Sequence, residues 1–276
     1  MPSLDSIVFA PPWEAGGVKS LYAACEALGT LGRSRIVPFH EPRLASWFGH
    51  RCQLYDYSYC PDLVVYPEIY QPHIPGRRHI CFVLGKYGAV APHAELAVCR
   101  SPALVDWLRT EWPNQRCVLL RAGIDRKIFE YDGREKQDVI CYMTRPHKHP
   151  ETAQLLRDRY GEKVVEIIDR SESEVAELLK NAKVFVWRGN DKEGSPRPPK
   201  EALVAGCVVV GLATDLDAAH YTDFGMRCSN VEELIDAAGQ ALSLPVPSEA
   251  ERAVVRDAEE EKRGWIELAS QLNAAS

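Results

Sequence analysis

Runs of four to six consecutive apolar residues, rich in Val, Ile and Leu, recur along this chain between amphipathic stretches, and this rhythm restricts the fold more than any other feature. A strand that is apolar at every position is buried on both faces, as happens in a parallel sheet with helices packed on each side. In the first half such runs predict strands near 7–10, 35–39, 63–66, 79–83, 96–99 and 117–120. In the second half they predict strands near 139–143, 164–168, 184–187, 207–212 and 226–228. The chain therefore reads as α/β, with two successive series of strands.

Helix signals fill the gaps between these runs. A helix over 18–31 places Val18, Leu21, Tyr22, Cys25 and Leu28 on one face, and a second opens with Ser101 as N-cap followed by Pro102. Capping boxes, in which a hydroxyl and a carboxylate reciprocally satisfy orphan backbone donors, are expected at Ser171 with Glu174 and at Ser229 with Glu232. Pro245 and Pro247 end the second series, and Ser248 with Glu251 is expected to open one long polar final helix. Residues 40–62 are aromatic and irregular and carry no assignment. The charged stretch 132–138 separates the two series and is read as a linker, giving a first domain over 1–131, completed by a helix at about 255–276, and a second over 132–254.

At 276 residues the chain can close two modest cores. Its net charge of −6, with both signs interspersed, offers no basic face for nucleic acid or anionic lipid. Nine cysteines stand singly, with no C-x-x-C pair, which fits reduced, buried thiols. No signal peptide and no apolar stretch of membrane-spanning length is present, so a cytoplasmic protein without a membrane span is expected, with peripheral membrane contact left open.

Chemistry concentrates in 191–211, DKEGSPRPPKEALVAGCVVVG. Glu193 and Gly194 occupy a polar loop after an apolar run, and Pro198 and Pro199 suit a helix start. Glu201 then falls in the first helical turn, where the helix dipole favours a carboxylate that can accept from sugar hydroxyls. Upstream, Arg145 and Lys148 lie in a loop at a strand end, where cations could meet phosphate, and the alternative is a solvated loop with ordinary surface charge. Gly16 and Gly17 separate the first strand from the first helix and would let backbone approach an anion, although a glycine pair there is also an ordinary turn. Asp215 and Asp217 satisfy a D-x-D pattern but read better as a helix N-cap with a neighbouring acid. His147 and His149 lack the partners of a zinc site, and no metal is expected.

The residues Glu193, Gly194, Pro198, Glu201, Ala202, Gly206 and 208–210 resemble the E-x7-E signature of retaining GT-B glycosyltransferases of family four. Gly123, Ile124, Asp125 and Phe129 resemble the same family's hinge-side motif, with an architectural role. The resemblance implies two Rossmann-like domains facing each other across a cleft, a final helix that returns to the first domain, and transfer of a hexose or deoxyhexose from a nucleotide diphosphate sugar to the hydroxyl of a glycan, lipid or small molecule. It implies catalytic roles for Arg145, Lys148 and Glu193, and donor binding by Gly16, Gly17, Gly194, Ser195, Arg197 and Glu201. Neither metal nor cofactor is implied, and the nucleobase is placed near 170–172.

Three departures stand against full membership. Pro196, which has no N–H, takes the place of a motif glycine; no histidine occurs over 81–87, where Lys86 is the residue that could face the cleft instead; and the first domain, over 1–131, is short for the family. They keep open the alternative of a catalytically weak or inactive nucleotide-sugar-binding protein.

Overall fold

The computed structural model describes residues 3–13, 15–88, 94–143, 149–189, 192, 194–214 and 225–274. The chain separates into two compact units, Met1–Ala122 with Ala258–Ser276, and Gly123–Asp257. Each is built on one parallel sheet with helices on both faces.

The first sheet contains β1 (Ser6–Ala10), β2 (Ser34–Pro38), β3 (Leu63–Pro67), β4 (Arg78–Val83), β5 (Leu96–Cys99) and β6 (Cys117–Leu119), in the spatial order β2-β1-β3-β4-β5-β6. All five neighbouring pairs are parallel. Every residue of β1 is buried because the strand alternates between two cores. Val8 and Ala10 point toward α1 (Gly16–Leu28), while Ile7 and Phe9 join the other face, which α2 (Pro102–Glu111) covers through Leu104, Val105 and Leu108. The Ser101 side chain accepts from the Leu104 N–H at 3.2 Å, which is the cap read from the sequence.

The second sheet contains β7 (Gln137–Met143), β8 (Val164–Ile167), β9 (Ala182–Trp187), β10 (Val208–Leu212) and β11 (Met226–Cys228), in the order β11-β10-β9-β7-β8. Around it lie α3 (Arg126–Phe129), α4 (Pro150–Tyr160), α5 (Glu172–Asn181), α6 (Pro198–Val204), α7 (Val231–Ala241) and α8 (Glu249–Arg252). The α6–β10 junction is tight. Gly206 takes φ +83°, the Cys207 N–H returns to the Ala202 carbonyl, and the strand therefore starts at Val208 rather than Cys207.

The structure departs from the sequence reading in four places. The α7 cap is Asn230, which accepts from the Glu233 N–H at 2.9 Å while Glu233 accepts from the Ser229 N–H at 2.7 Å. The cap sits one residue later than Ser229, and the Glu233 carboxylate reaches the residue before the cap and not the cap itself, so the reciprocal box expected of Ser229 with Glu232 does not form; extended Asn230 is at least as good a cap as serine. The final helix is two helices. The Ser248 box opens only α8, after which Val255 is buried and the Ile124 N–H bonds the Arg256 carbonyl, drawing the chain out of helical register. A separate α9 (Ala258–Ala274) follows. The first helix begins at Gly16 and stops at Leu28 with Gly29 as C-cap, shorter at its end than 18–31.

The fourth difference concerns the charged stretch 132–138, which is internal to the second unit. Lys136 Nζ donates to the Leu179 and Ala205 carbonyls at 2.7 and 2.6 Å, closing the ends of α5 and α6, and burial lowers its pKa. Residues 123–131 also belong here, since Ile124 and Phe129 are buried in its core. The contact boundary therefore falls at Ala122 rather than at 131.

Helix α9 belongs to the first unit. Trp265 packs edge-on against Phe82, and Glu261 accepts from Arg100 at 2.5 Å with both side chains 2% exposed. Arg100 also donates to Ser20 Oγ on α1 at 3.2 Å. Among the described residues no helix is long and apolar enough to cross a membrane.

Candidate functional site

Both sheets reverse direction. In the second, the chain steps from β7 outward to β8, then returns to the other side of β7 to lay down β9, β10 and β11. The reversal thus lies between β7 and β9, which pair in parallel with Tyr142 beside Val186. Loops leaving the carboxyl ends of two such strands diverge to opposite faces and open a crevice, the common ligand position in open α/β sheets.

The loop after β9 carries most of the described polar residues of the sequence-derived site. Arg188 donates to Thr152 Oγ1 at 3.2 Å and lies 3.4 Å from His149 Nδ1, joining this loop to the start of α4. His149, the N-cap, is held at φ +45° and contacts Glu151 Oε1 at 2.9 Å. Gly194 is buried and Ser195 half-buried. Lys200 Nζ donates to Ser195 Oγ at 2.6 Å, and Arg197 Nε donates to Glu201 Oε1 at 3.3 Å. Arg197, Lys200 and Glu201 are all buried, so Arg197 and Glu201 form an ion pair largely shielded from water.

The sequence places these residues for local reasons. Pro198 and Pro199 start α6, and the Arg197 carbonyl accepts from both the Lys200 and Glu201 N–H groups. Residues 197 and 201 then stand one helical turn apart, which lets their side chains meet. Ser195, Arg197 and Glu201 are therefore brought into one polar cluster at the carboxyl side of β9. Lys200 is a member that the motif comparison passed over, because its position there carries no chemical signature; Arg188 was missed for the same reason. Both could have been noted as cations near a strand end.

In the first unit the reversal lies between β1 and β3. Gly16 and Gly17 open α1 directly after the β1 loop, and the helix has no side-chain N-cap and no acid in its first turn. A Cβ on Gly17 would stand 3.0 Å from Leu84 Cδ1, so glycine permits close packing of α1 against the loop that follows β4. Lys86 in that loop is exposed. Glu68, one residue beyond β3, is fully buried and accepts from the backbone of the same loop. Sequence reasoning missed it because nothing in its neighbourhood distinguishes it from a surface glutamate.

Arg145, Lys148 and Glu193, the three expected catalytic residues, lie outside the described residues, as do His147, Asp215 and Asp217. The hinge-side Asp125 is an N-cap that accepts from the Lys127 N–H at 2.9 Å. Near the proposed nucleobase position, Asp169 has φ +47° and Ser171 forms the expected capping box with Glu174. Among the described residues no group of three or more His, Cys, Asp or Glu side chains is arranged to hold a metal ion.

Comparison with solved structures places this architecture. AviGT4, a glycosyltransferase involved in avilamycin A biosynthesis, is 15% identical over 99% of each chain with a TM-score of 0.64. A glycosyltransferase from Rickettsia africae is 11% identical over the full length of both chains with a TM-score of 0.69. Anabaena HepE, solved in complex with UDP-glucose, is 11% identical over 97% of this chain and 100% of its own, with a TM-score of 0.65. No protein-family model and no curated sequence matches the chain. At these identities the likeness concerns the fold, which is the expected GT-B class of two parallel-sheet, Rossmann-like domains.

Proposed function

We propose that the chain is a glycosyltransferase that moves a sugar from a nucleotide diphosphate sugar to an acceptor hydroxyl, with retention of configuration and without a metal. The observation that carries this reading is the cluster of Ser195, Arg197, Lys200 and Glu201 at the strand reversal of the second sheet, within a fold shared along its whole length with glycosyltransferases. HepE, one of those neighbours, was solved with UDP-glucose, which makes a uridine diphosphate hexose the first donor to try.

In this reading Glu201 holds the donor's ribose, Glu193 contacts the transferred hexose or deoxyhexose, and Gly194 and Ser195 offer backbone amides. Arg197 and Glu201 need not separate completely, because a carboxylate accepts at both oxygens. Gly16 and Gly17 present backbone to the donor phosphate. Arg145 and Lys148 neutralise charge on the departing diphosphate; removing either is expected to lower the rate by about 10²–10³. The bond from the anomeric carbon to the diphosphate oxygen breaks while the acceptor oxygen attaches on the same face, and the acceptor's proton passes to a leaving phosphate oxygen. The acceptor is a glycan, lipid or small molecule. This reading places the enzyme in the cytoplasm.

A second reading, a binding protein of the same fold with weak or no turnover, is favoured by Pro196, which offers no N–H, and by the pairing of Glu201 with Arg197. Incubation with a panel of nucleotide sugars separates the two. Release of diphosphate from one donor, lost in Glu201→Ala and Arg145→Ala, supports the transferase. Stabilisation by a nucleotide sugar with no diphosphate released supports the binder, and neither response to any donor overturns both.

A further inference from the structure

Glu68 takes no part in the donor reading, yet it is a buried acid with both oxygens engaged. Its side chain follows β3, next to the strand reversal, and is 1% exposed. Oε1 accepts from the Gly85 N–H at 2.7 Å and Oε2 from the Leu84 N–H at 3.0 Å. One carboxylate thus fixes two successive amides of the loop leaving β4. The Leu84 side chain continues the connection to α1, where it meets the space left by Gly17. Three loops at one sheet edge, after β1, β3 and β4, are joined through this acid.

The ionised group makes the stronger bonds. Protonation puts a hydrogen on one oxygen and leaves it a poorer acceptor, so one of the two amide bonds weakens. Among the described residues no lysine or arginine contributes to the charge balance of Glu68. The titratable groups that couple to it are the Cys81 thiol on β4 and the Cys99 thiol on β5, both raised chiefly by burial and further by the Glu68 charge. Burial raises the Glu68 pKa to about 7, against the opposing pull of the Leu84, Gly85 and its own backbone amides. A purely structural fastening of these amides is made at lower cost by a neutral acceptor, since ionising a buried acid without a cation is unfavourable.

We propose that Glu68 is a positioning residue whose carboxylate holds Leu84, Gly85 and the following Lys86 against the Gly16–Gly17 start of α1, ordering this edge when ionised and loosening it when protonated. Only the identity of what binds at the edge rests on the transferase reading; the fastening does not.

The test follows the amide resonances of Leu84 and Gly85 in the isotope-labelled full chain from about pH 5 to about pH 9. Both are expected to shift with a common inflection near pH 7, and Glu68→Gln, an analogue of the protonated acid, is expected to abolish it while the protein still melts cooperatively. With whichever donor the wild type hydrolyses, kcat/KM should rise through the same pH, and Glu68→Gln should flatten that limb and lower the plateau about 10-fold. Amides that do not titrate in the wild type overturn the proposal, even if the variant fails to fold. So does a folded Glu68→Gln protein with an unchanged pH profile. If no donor is hydrolysed, the transferase reading fails, and the amide titration still decides the role of Glu68.

Discussion

At the carboxyl edge of the first sheet, buried acids hold structural elements together: Glu68 fastens the β4 loop through backbone amides, and Glu261 ties α9 to Arg100 just beyond β5. At the matching edge of the second sheet, the acid Glu201 and the cations Arg197 and Lys200 sit on a helix start, paired with near neighbours in the chain. Both sheets reverse at the corresponding place, between their first and third strands. The same topology therefore carries two kinds of polar construction, one that places backbone and one that presents side-chain charge. Under the proposed function, the first suits an edge whose ligand contacts come from main chain and loop shape. The second suits recognition of hydroxyls and phosphates by charge-assisted hydrogen bonds.

The largest effect that could break this comparison is on stability. Glu261→Ala leaves Arg100 buried without its partner and should cost about 3–5 kcal/mol in urea unfolding. A loss under about 1 kcal/mol, the usual worth of an exposed pair, would mean that the first edge does not depend on buried charge.

In the second unit the matching change should act on turnover. Glu201→Gln keeps an oxygen that can accept from Arg197 but removes the charge that balances it, so the stability loss should be smaller than for Glu261→Ala while donor hydrolysis falls by about 10²–10³. A variant that melts early and retains its rate would put Glu201 in the same structural class as Glu261.

Next in size is a pH effect. The unfolded chain ionises Glu68 near its ordinary 4.5, while the folded chain does so near 7. Between those values the native state holds the extra proton, so stability falls as pH rises and is level above the folded pKa. The fall attributable to this group is on the order of 3 kcal/mol, and chemical unfolding across that range should show it in the wild type and lose it in Glu68→Gln. A slope that survives the substitution belongs to other groups.

The smallest of the four concerns the turn beneath the charged helix. Gly206 has φ +83°, and a Cβ there would stand 2.9 Å from the Tyr131 ring, so Gly206→Ala should cost about 1–3 kcal/mol by thermal unfolding. A neutral outcome would show that the α6–β10 junction can relax, and that the placement of Glu201 is less fixed than the comparison requires.

Much of the frame was legible in the chain. The eleven strands among the described residues all begin within two residues of an apolar run read from the sequence, because burial on both faces leaves a local record in composition. Ser101, Ser171 and Ser248 cap helices as expected, since a cap satisfies donors only a few residues away. The site was legible in part. Arg197 and Glu201 are neighbours through helical spacing alone, whereas Arg188 meets His149 and Thr152 across nearly forty positions, and the Glu68 bonds span sixteen and seventeen. Asn230 displaced Ser229 because two good caps stood side by side, and backbone geometry decided between them.

The sequence by itself determined the alternation of strands and helices, the positions of most caps and the charged turn that opens α6, all of which depend on interactions within a few residues or on the period of burial. Tertiary structure alone decided that Glu68 is a buried fastening and not a surface acid, that Glu261 meets Arg100, and that the last helix breaks at Val255. Those outcomes depend on which distant groups share a low-dielectric space, and the free energy of a buried charge is set by its partners there and not by its neighbours along the chain.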